Sequence, residues 1–271
     1  MLLTYDRTGN GPPLVLIHGL GSARTVWKRI IGALASSFDV VAVDLPGHGR
    51  TRWVAGTPMH PPALARHVLE TLDACGIERA HLVGNSLGGW TALEMAGAAP
   101  QRVMSVTALA PAGMRDAPAT RVKLSFKINR YLARAARPVL PVMLSREWLR
   151  GVGLARNSPV WRTWAIETCR DAAEAMAGAR GFDAALEGTI GRVARCTAAI
   201  PASVPVTIVF GDTDTILPAR TSQSRRYLPA HGRWLDWERC GHAIQLDYPD
   251  RVVALVREVA GSAHALGGQP E

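Results

Sequence analysis

No run of about 18 apolar residues occurs in this chain, although 48% of its 271 residues are hydrophobic, so a membrane-spanning helix is not expected. The opening stretch, Met1-Leu2-Leu3-Thr4-Tyr5-Asp6-Arg7, lacks the basic-then-apolar build of a signal peptide, which makes a cytoplasmic location the default expectation. Four cysteines (Cys75, Cys169, Cys196 and Cys240) are scattered without a Cys-x-x-Cys pair, arguing for reduced thiols rather than a metal site or a disulfide framework. No internal repeat is apparent. Acidic residues are short, 22 against 31 basic, giving a net charge of +9. The shortage is local: residues 112–200 hold 15 Lys and Arg against 7 Asp and Glu, and the remainder holds 16 against 15. Such asymmetry marks either an anionic partner or substrate, or a compositional bias toward arginine. Nothing beyond the charge suggests nucleic acid.

What is present is an alternation. Leu2–Tyr5 reads as an edge strand and Thr8–Gly11 as a turn. Leu14–Ile17 and Val40–Val43 are continuous apolar runs, the pattern of strands covered on both faces. Between them, Thr25–Ser36 places Val26, Ile30, Ile31 and Leu34 at helical spacing, and Leu64–Cys75 is a second helix ending at Gly76. Ala80–Val83 is a strand, Thr91–Ala96 is helical, and Val103–Leu109 is a strand again. This order predicts parallel pairing with right-handed crossovers, an α/β fold. Residues 112–200 then carry helical patterns and no convincing strand. Strands resume at Val204–Phe210 and Arg233–Trp237, and a helix closes the pattern at Pro249–Ala260. The expected organisation is a core of residues 1–111 and 201–265, a helical cap inserted at 112–200, and a frayed tail at 266–271.

The chemistry centres on Leu82-Val83-Gly84-Asn85-Ser86-Leu87-Gly88-Gly89. A strand that turns into a helix within one residue strains the turning residue, here Ser86, and leaves no room for a Cβ at Gly84 or Gly88. A serine hydroxyl needs a base, and the base needs an acid to orient it. Asp214 follows the strand Val206–Phe210, and His242 follows the strand around Trp234. Both therefore fall at the carboxyl ends of strands, with Ser86. Asp212 is the rival acid, and Asp214 is preferred because it lies further past the strand end. An acyl-transfer intermediate also needs two N–H groups for its oxyanion. Leu87, next to the nucleophile, and Leu20, in His18-Gly19-Leu20-Gly21, are placed to supply them.

Taken together, His18-Gly19-Leu20-Gly21, Asp44-Leu45-Pro46-Gly47-His48-Gly49, the Gly-Asn-Ser-Leu-Gly-Gly elbow, Gly211-Asp212-Thr213-Asp214 and Gly241-His242 with Asp247-Tyr248-Pro249 resemble the α/β-hydrolase superfamily, in its cofactor-free branch with a mobile cap. The resemblance spans residues 18–249. It implies an eight-stranded, mostly parallel sheet with helices on both faces, no cofactor and no metal. Haloalkane dehalogenases and epoxide hydrolases of this fold use an aspartate nucleophile, where this chain has Ser86. Hydrolases of carbon–carbon bonds share the elbow but usually carry tryptophan after the histidine, where this chain has Ala243. Cofactor-free haloperoxidases show an aromatic residue in place of Leu20. Hydrolysis of a carboxylic ester, lactone or thioester is the leading expectation, with a small-molecule acyl substrate. Carbon–carbon bond hydrolysis, or a ligand-sensing protein with an idle triad, are the alternatives.

Substrate choice should lie in the insertion. Lys123, Lys127, Arg130, Arg134 and Arg137 recur at intervals of four, three, four and three, forming one stripe, with Ile128, Leu132, Ala135, Ala136 and Val139 on the other side. The stripe reads as a solvated face, or alternatively as a surface for an anionic substrate or lipid. Leu20, Asn85, Trp161 and Trp164 are the candidate pocket residues, the two tryptophans being equally readable as cap core.

Overall fold

The computed structural model describes residues 1–115, 120–155, 158–190, 196 and 199–267. Its sheet has seven strands: β1 (Tyr5–Thr8), β2 (Pro13–Ile17), β3 (Asp39–Val43), β4 (Ala80–Asn85), β5 (Val103–Leu109), β6 (Val206–Gly211) and β7 (Arg233–Trp237). Their order is β1-β3-β2-β4-β5-β6-β7, with β1 antiparallel to β3 and every other pairing parallel. The seven segments that read as strands are these seven, and the eighth strand implied by the resemblance is not found among the described residues. Only β1 has moved. It pairs Tyr5 with Val43 through Thr8 with Val40, while Leu3, expected within the strand, is buried and donates its N–H to Thr71 Oγ1 at 3.0 Å.

Helices α1 (Lys28–Ala35), α2 (Pro61–Ala74), α3 (Leu87–Ala98) and α11 (Pro249–Gly267) join the sheet to form the α/β layers, and α9 (Ala219–Ser222) and α10 (Ile244–Asp247) are single turns in its loops. Because both faces of the sheet are covered, the central strands need apolar side chains in both directions, and Leu14–Ile17 and Val40–Val43 are almost wholly buried. α3 is buried on nearly every side, from Leu87 to Leu93. That is why its first turn is Leu-Gly-Gly: a Cβ on Gly88 would lie 2.0 Å from the Ile17 carbonyl oxygen. α11 extends to Gly267, so the tail expected from residue 266 begins in helix; residues 268–271 lie outside the described part. No helix among the described residues is long and apolar enough to cross a membrane.

Between β5 and β6 lie α4 (Thr120–Ala136), α5 (Leu140–Ser145), α6 (Glu147–Leu154), α7 (Ile166–Gly178) and α8 (Phe182–Ile190). The basic stripe of α4 is only in part its solvated face, since Lys127, Arg134 and Arg137 are exposed while Lys123 and Arg130 are partly covered. Arg130 is 12% exposed and pairs with Asp183, and Lys123 pairs with Glu187 at 2.6 Å, both acids lying on α8. The opposite stripe also faces outward, with Ile128 and Leu132 roughly half exposed and Tyr131 more so. Two carboxylates four residues apart on α8 hold Arg130 and Lys123 against that helix.

Candidate active site

The elbow takes the backbone geometry its sequence demands. Ser86 sits at φ 56° and ψ −114°, a region that L-residues rarely occupy, and the surrounding contacts hold it there. Its N–H donates to the Leu109 carbonyl at 2.9 Å, and its own carbonyl accepts from Trp90 and Ala112 at 3.1 and 3.0 Å. A Cβ on Gly84 would lie 2.3 Å from the Gly88 carbonyl oxygen, so strand and helix can cross this closely only through glycine. The Ser86 side chain is left at the N-terminus of α3, with no hydrogen bond for its hydroxyl among the described residues.

β6 and β7 deliver the other two groups. His242 Nδ1 donates to Asp214 Oδ2 at 2.8 Å. Asp214 is buried, and its second oxygen accepts the backbone N–H groups of Ile216 and Leu217, each at 2.8 Å. The carboxylate is thereby fixed by three donors and compensated for its loss of water. The rival Asp212 is turned away, accepting instead from the Cys240 N–H at 3.2 Å.

Asn85 ties the histidine to the elbow. Its amide donates to the Leu109 and His242 carbonyl oxygens, each at 3.1 Å. Asn85, expected to line a substrate pocket, is buried, with its NH₂ on two backbone carbonyls and its oxygen accepting from the Gln245 amide at 3.4 Å. A polar residue beside a nucleophile reads equally well as ligand or as strut, and only the packing of the β7 loop against β4 decides between them.

The loop after β2 lies against the same elbow. A Cβ on Gly19 would come within 3.1 Å of Ser86 Cβ, so the glycine permits the approach that brings Leu20 alongside. The Leu20 N–H has no hydrogen-bond partner among the described residues. Leu87 opens α3, and its N–H lacks an intrahelical acceptor as first-turn donors do. His18 sets the loop from behind. Its Nε2 accepts from the Leu45 N–H at 3.0 Å, which leaves Nδ1 to donate to the Gly19 carbonyl at 2.7 Å. Both bonds require the neutral ring, and burial lowers the pKa of His18 accordingly. Nothing in the sequence marked His18 for this role beyond its place in a glycine loop.

Above Leu20 lies an apolar cluster from the insertion: Ala179, Phe182 and Leu186, joined by Phe126, Met176 and Ile190. Trp161 and Trp164, the other candidate pocket residues and equally readable as cap core, do not belong to this cluster. Trp161 is buried against Gly151 of α6, and Trp164 packs with Leu144, Cys169 and Leu246. They are three apart, but the intervening 3₁₀ turn ends at Thr163, so Trp164 leaves helical geometry and faces elsewhere. Trp164 instead forms a latch. Its Nε1 and the Ser158 hydroxyl donate to Asp247 Oδ1 at 3.1 and 2.6 Å, while Asp247 Oδ2 accepts from Gly241 N–H at 2.7 Å. Burial raises the Asp247 pKa, with these three donors opposing the shift.

Comparison with known proteins agrees with this architecture. The sequence pattern of the alpha/beta hydrolase family matches residues 14–255. The pimeloyl-[acyl-carrier protein] methyl ester esterase of Aeromonas salmonicida is 30% identical over 96% of this chain and 100% of its own length. The 2-hydroxymuconate semialdehyde hydrolase of Pseudomonas sp. CF600 is 29% identical over 95% of this chain and 90% of its own. A shorter stretch of 115 residues is 44% identical to the dihydrolipoyllysine-residue acetyltransferase component of the acetoin cleaving system of Cupriavidus necator, of which it spans 30%. Among solved structures, an esterase from Thermogutta terrifontis superposes with a TM-score of 0.74 at 22% identity, covering 97% of this chain and 94% of that one. With the family pattern running through nearly every strand of the sheet, the chain belongs to the alpha/beta hydrolase family.

Proposed function

We propose that the protein is a serine hydrolase that cleaves a carboxylic ester through an acyl-enzyme on Ser86. In this reading His242 Nε2 takes the Ser86 proton as Oγ attacks the acyl carbonyl, and the Leu20 and Leu87 N–H groups receive the developing oxyanion. His242 then returns the proton to the departing alcohol. A water molecule, activated by the same imidazole, releases the acid. Asp214 holds the ring with Nδ1 protonated, so that Nε2 is the free base. Residues 112–200 act as a cap over the core of residues 1–111 and 201–265, and the apolar cluster above Leu20 receives the acyl chain.

The observation that carries this reading is the 2.8 Å contact between His242 Nδ1 and a buried, triply held Asp214, on a loop that Asn85 ties to the elbow. The whole-length likeness to a methyl ester esterase supports the same class. The likeness to a semialdehyde hydrolase at similar identity keeps carbon–carbon bond cleavage as a second reading. The test is a stopped-flow assay with a short p-nitrophenyl ester, run beside a ring-cleavage dienoate. A phenol burst matching the enzyme concentration, together with fluorophosphonate labelling of Ser86, is expected. Turnover of the dienoate alone favours the second reading, and turnover of neither sinks both.

A further inference from the structure

Where α4 and the loop after β3 meet, a cavity of about 810 Å³ is lined by Arg50, Arg52, Arg130, Arg134, Arg137 and Arg180. Arg130 is paired with Asp183, yet its Nε is buried without a hydrogen-bond partner among the described residues. The side chains of the other five form no ion pair among the described residues. Five uncompensated guanidinium groups around one opening repel one another, and this arrangement gives the fold nothing in return. Most other arginines of the insertion and core with a neighbouring acid use it, as Arg162 uses Glu147 and Arg225 uses Asp236. The positive charge that the sequence concentrates in residues 112–200 is thus partly gathered at a concave site.

That site adjoins the proposed acyl pocket. The Arg130 guanidinium carbon lies 4.9 Å from the centre of the Phe182 ring. Phe182 also belongs to the apolar cluster that packs on Leu20. One aromatic ring therefore belongs to the cluster that packs on the candidate oxyanion loop and is also in contact with Arg130. From Arg130 the ladder runs on to Arg137, about 10 Å further along the helix at 1.5 Å per residue.

We propose that this cavity binds the phosphates of a nucleotide carried on the substrate's leaving group, which makes the substrate an acyl thioester of the coenzyme A type. This deepens the ester-hydrolase reading of Ser86 and rests on it. Guanidinium forks match phosphate oxygens bidentately, and five of them call for a ligand with several negative charges rather than one carboxylate. The volume suits a nucleotide, and Trp53, also in the lining, offers a flat face to a base. A neutral flexible arm would pass Phe182 and present the thioester to Ser86. There the Oγ–C bond forms, the C–S bond breaks, and the proton taken by His242 goes to the departing sulfur. Water then releases the carboxylic acid and restores Ser86. A concave site of this size favours a small molecule over a protein surface.

The test compares the native protein with the double variant Arg134→Glu/Arg180→Glu, neither residue being part of the proposed catalytic machinery. Butyryl-coenzyme A and p-nitrophenyl butyrate share an acyl group and differ in the leaving group. The variant should lose at least tenfold in kcat/KM for the coenzyme A ester, chiefly through KM, and keep its rate on the neutral ester. Adenosine 3′,5′-bisphosphate should bind the native protein in calorimetry at about 0.15 M salt, weaken as salt rises, and compete only with the thioester. Equal losses on both substrates, or no calorimetric binding, overturns the proposal. So does hydrolysis of an acyl-carrier-protein thioester with the free nucleotide and coenzyme A ester ignored. Failure of the native protein on the neutral ester refutes the ester-hydrolase reading instead, and the calorimetry then still decides the cavity.

Discussion

Replacing Asp214 by asparagine should cost about 10⁴ in kcat, roughly 5.5 kcal/mol of transition-state stabilisation, and the structure says why the amide cannot compensate. Asp214 Oδ1 is held by the Ile216 and Leu217 N–H groups, each at 2.8 Å. An asparagine must keep its one oxygen there, because its NH₂ group would otherwise face two donors. The NH₂ is then forced toward His242, where the carboxylate now accepts from Nδ1 at 2.8 Å. His242 can meet it only by presenting a bare Nδ1, which moves the ring proton to Nε2. The nitrogen that takes the Ser86 proton in the proposed mechanism is then occupied. Folding should suffer little, since both backbone bonds survive and the amide still reaches the ring. A loss of about 1–2 kcal/mol in urea unfolding covers the exchange of a charged acceptor for a neutral one. Asp212→Asn is the control, as its oxygen can keep the Cys240 N–H while its amide has no imidazole to misdirect. The assay is steady-state ester turnover, with the imidazole ¹⁵N shifts reporting the tautomer. Asp214→Asn within tenfold of the native rate, or Asp212→Asn as the more damaging change, refutes the reasoning.

Three further outcomes follow from the same geometry. Ser86→Ala should abolish turnover and fluorophosphonate labelling while leaving the urea midpoint nearly unchanged, because the hydroxyl has no hydrogen bond to lose among the described residues; labelling that persists on another serine would contradict it. Burial lowers the pKa of His48 to about 3 and that of His18 in the same direction, so the folded state binds fewer protons than the unfolded chain. Stability should therefore fall as pH drops below about 6.5, by up to about 1.4 kcal/mol per unit for each ring, with the His48 share ending near pH 3. His48→Asn should flatten the fall, measured by urea titration between pH 7 and 4, and an unchanged slope would count against the assignment. Asp247→Ala breaks the latch from Ser158 and Trp164 to Gly241, leaving buried donors unpaired. A loss of about 2–4 kcal/mol is expected, with a larger drop in kcat than Trp161→Phe causes, and a silent variant would show the latch to be idle.

How much of this was legible in the chain depends on the range of the interaction. The elbow is local: strand, glycine, serine, glycine and helix lie within a dozen residues, and the strain at Ser86 follows from a turn too tight for any Cβ at Gly84 or Gly88. The apolar runs that must be buried on both faces identified the strands, and the carboxyl ends of β4, β6 and β7 brought Ser86, Asp214 and His242 to one edge. The sequence by itself therefore determined the fold and the candidate nucleophile, base and acid. It could not determine which way an amphipathic helix faces. α4 has a basic side and an apolar side, and periodicity describes both equally well. Only the carboxylates of α8, more than fifty residues further along the chain, drew Arg130 and Lys123 toward that helix, while Leu124 and Leu132 were left exposed. The same limit applied to Asn85 and the two tryptophans, whose side chains can serve a ligand or a scaffold with equal chemistry. Their partners are the His242 carbonyl, Gly151 and Asp247, and for two of the three that partner lies more than eighty residues away, where only tertiary packing could place it.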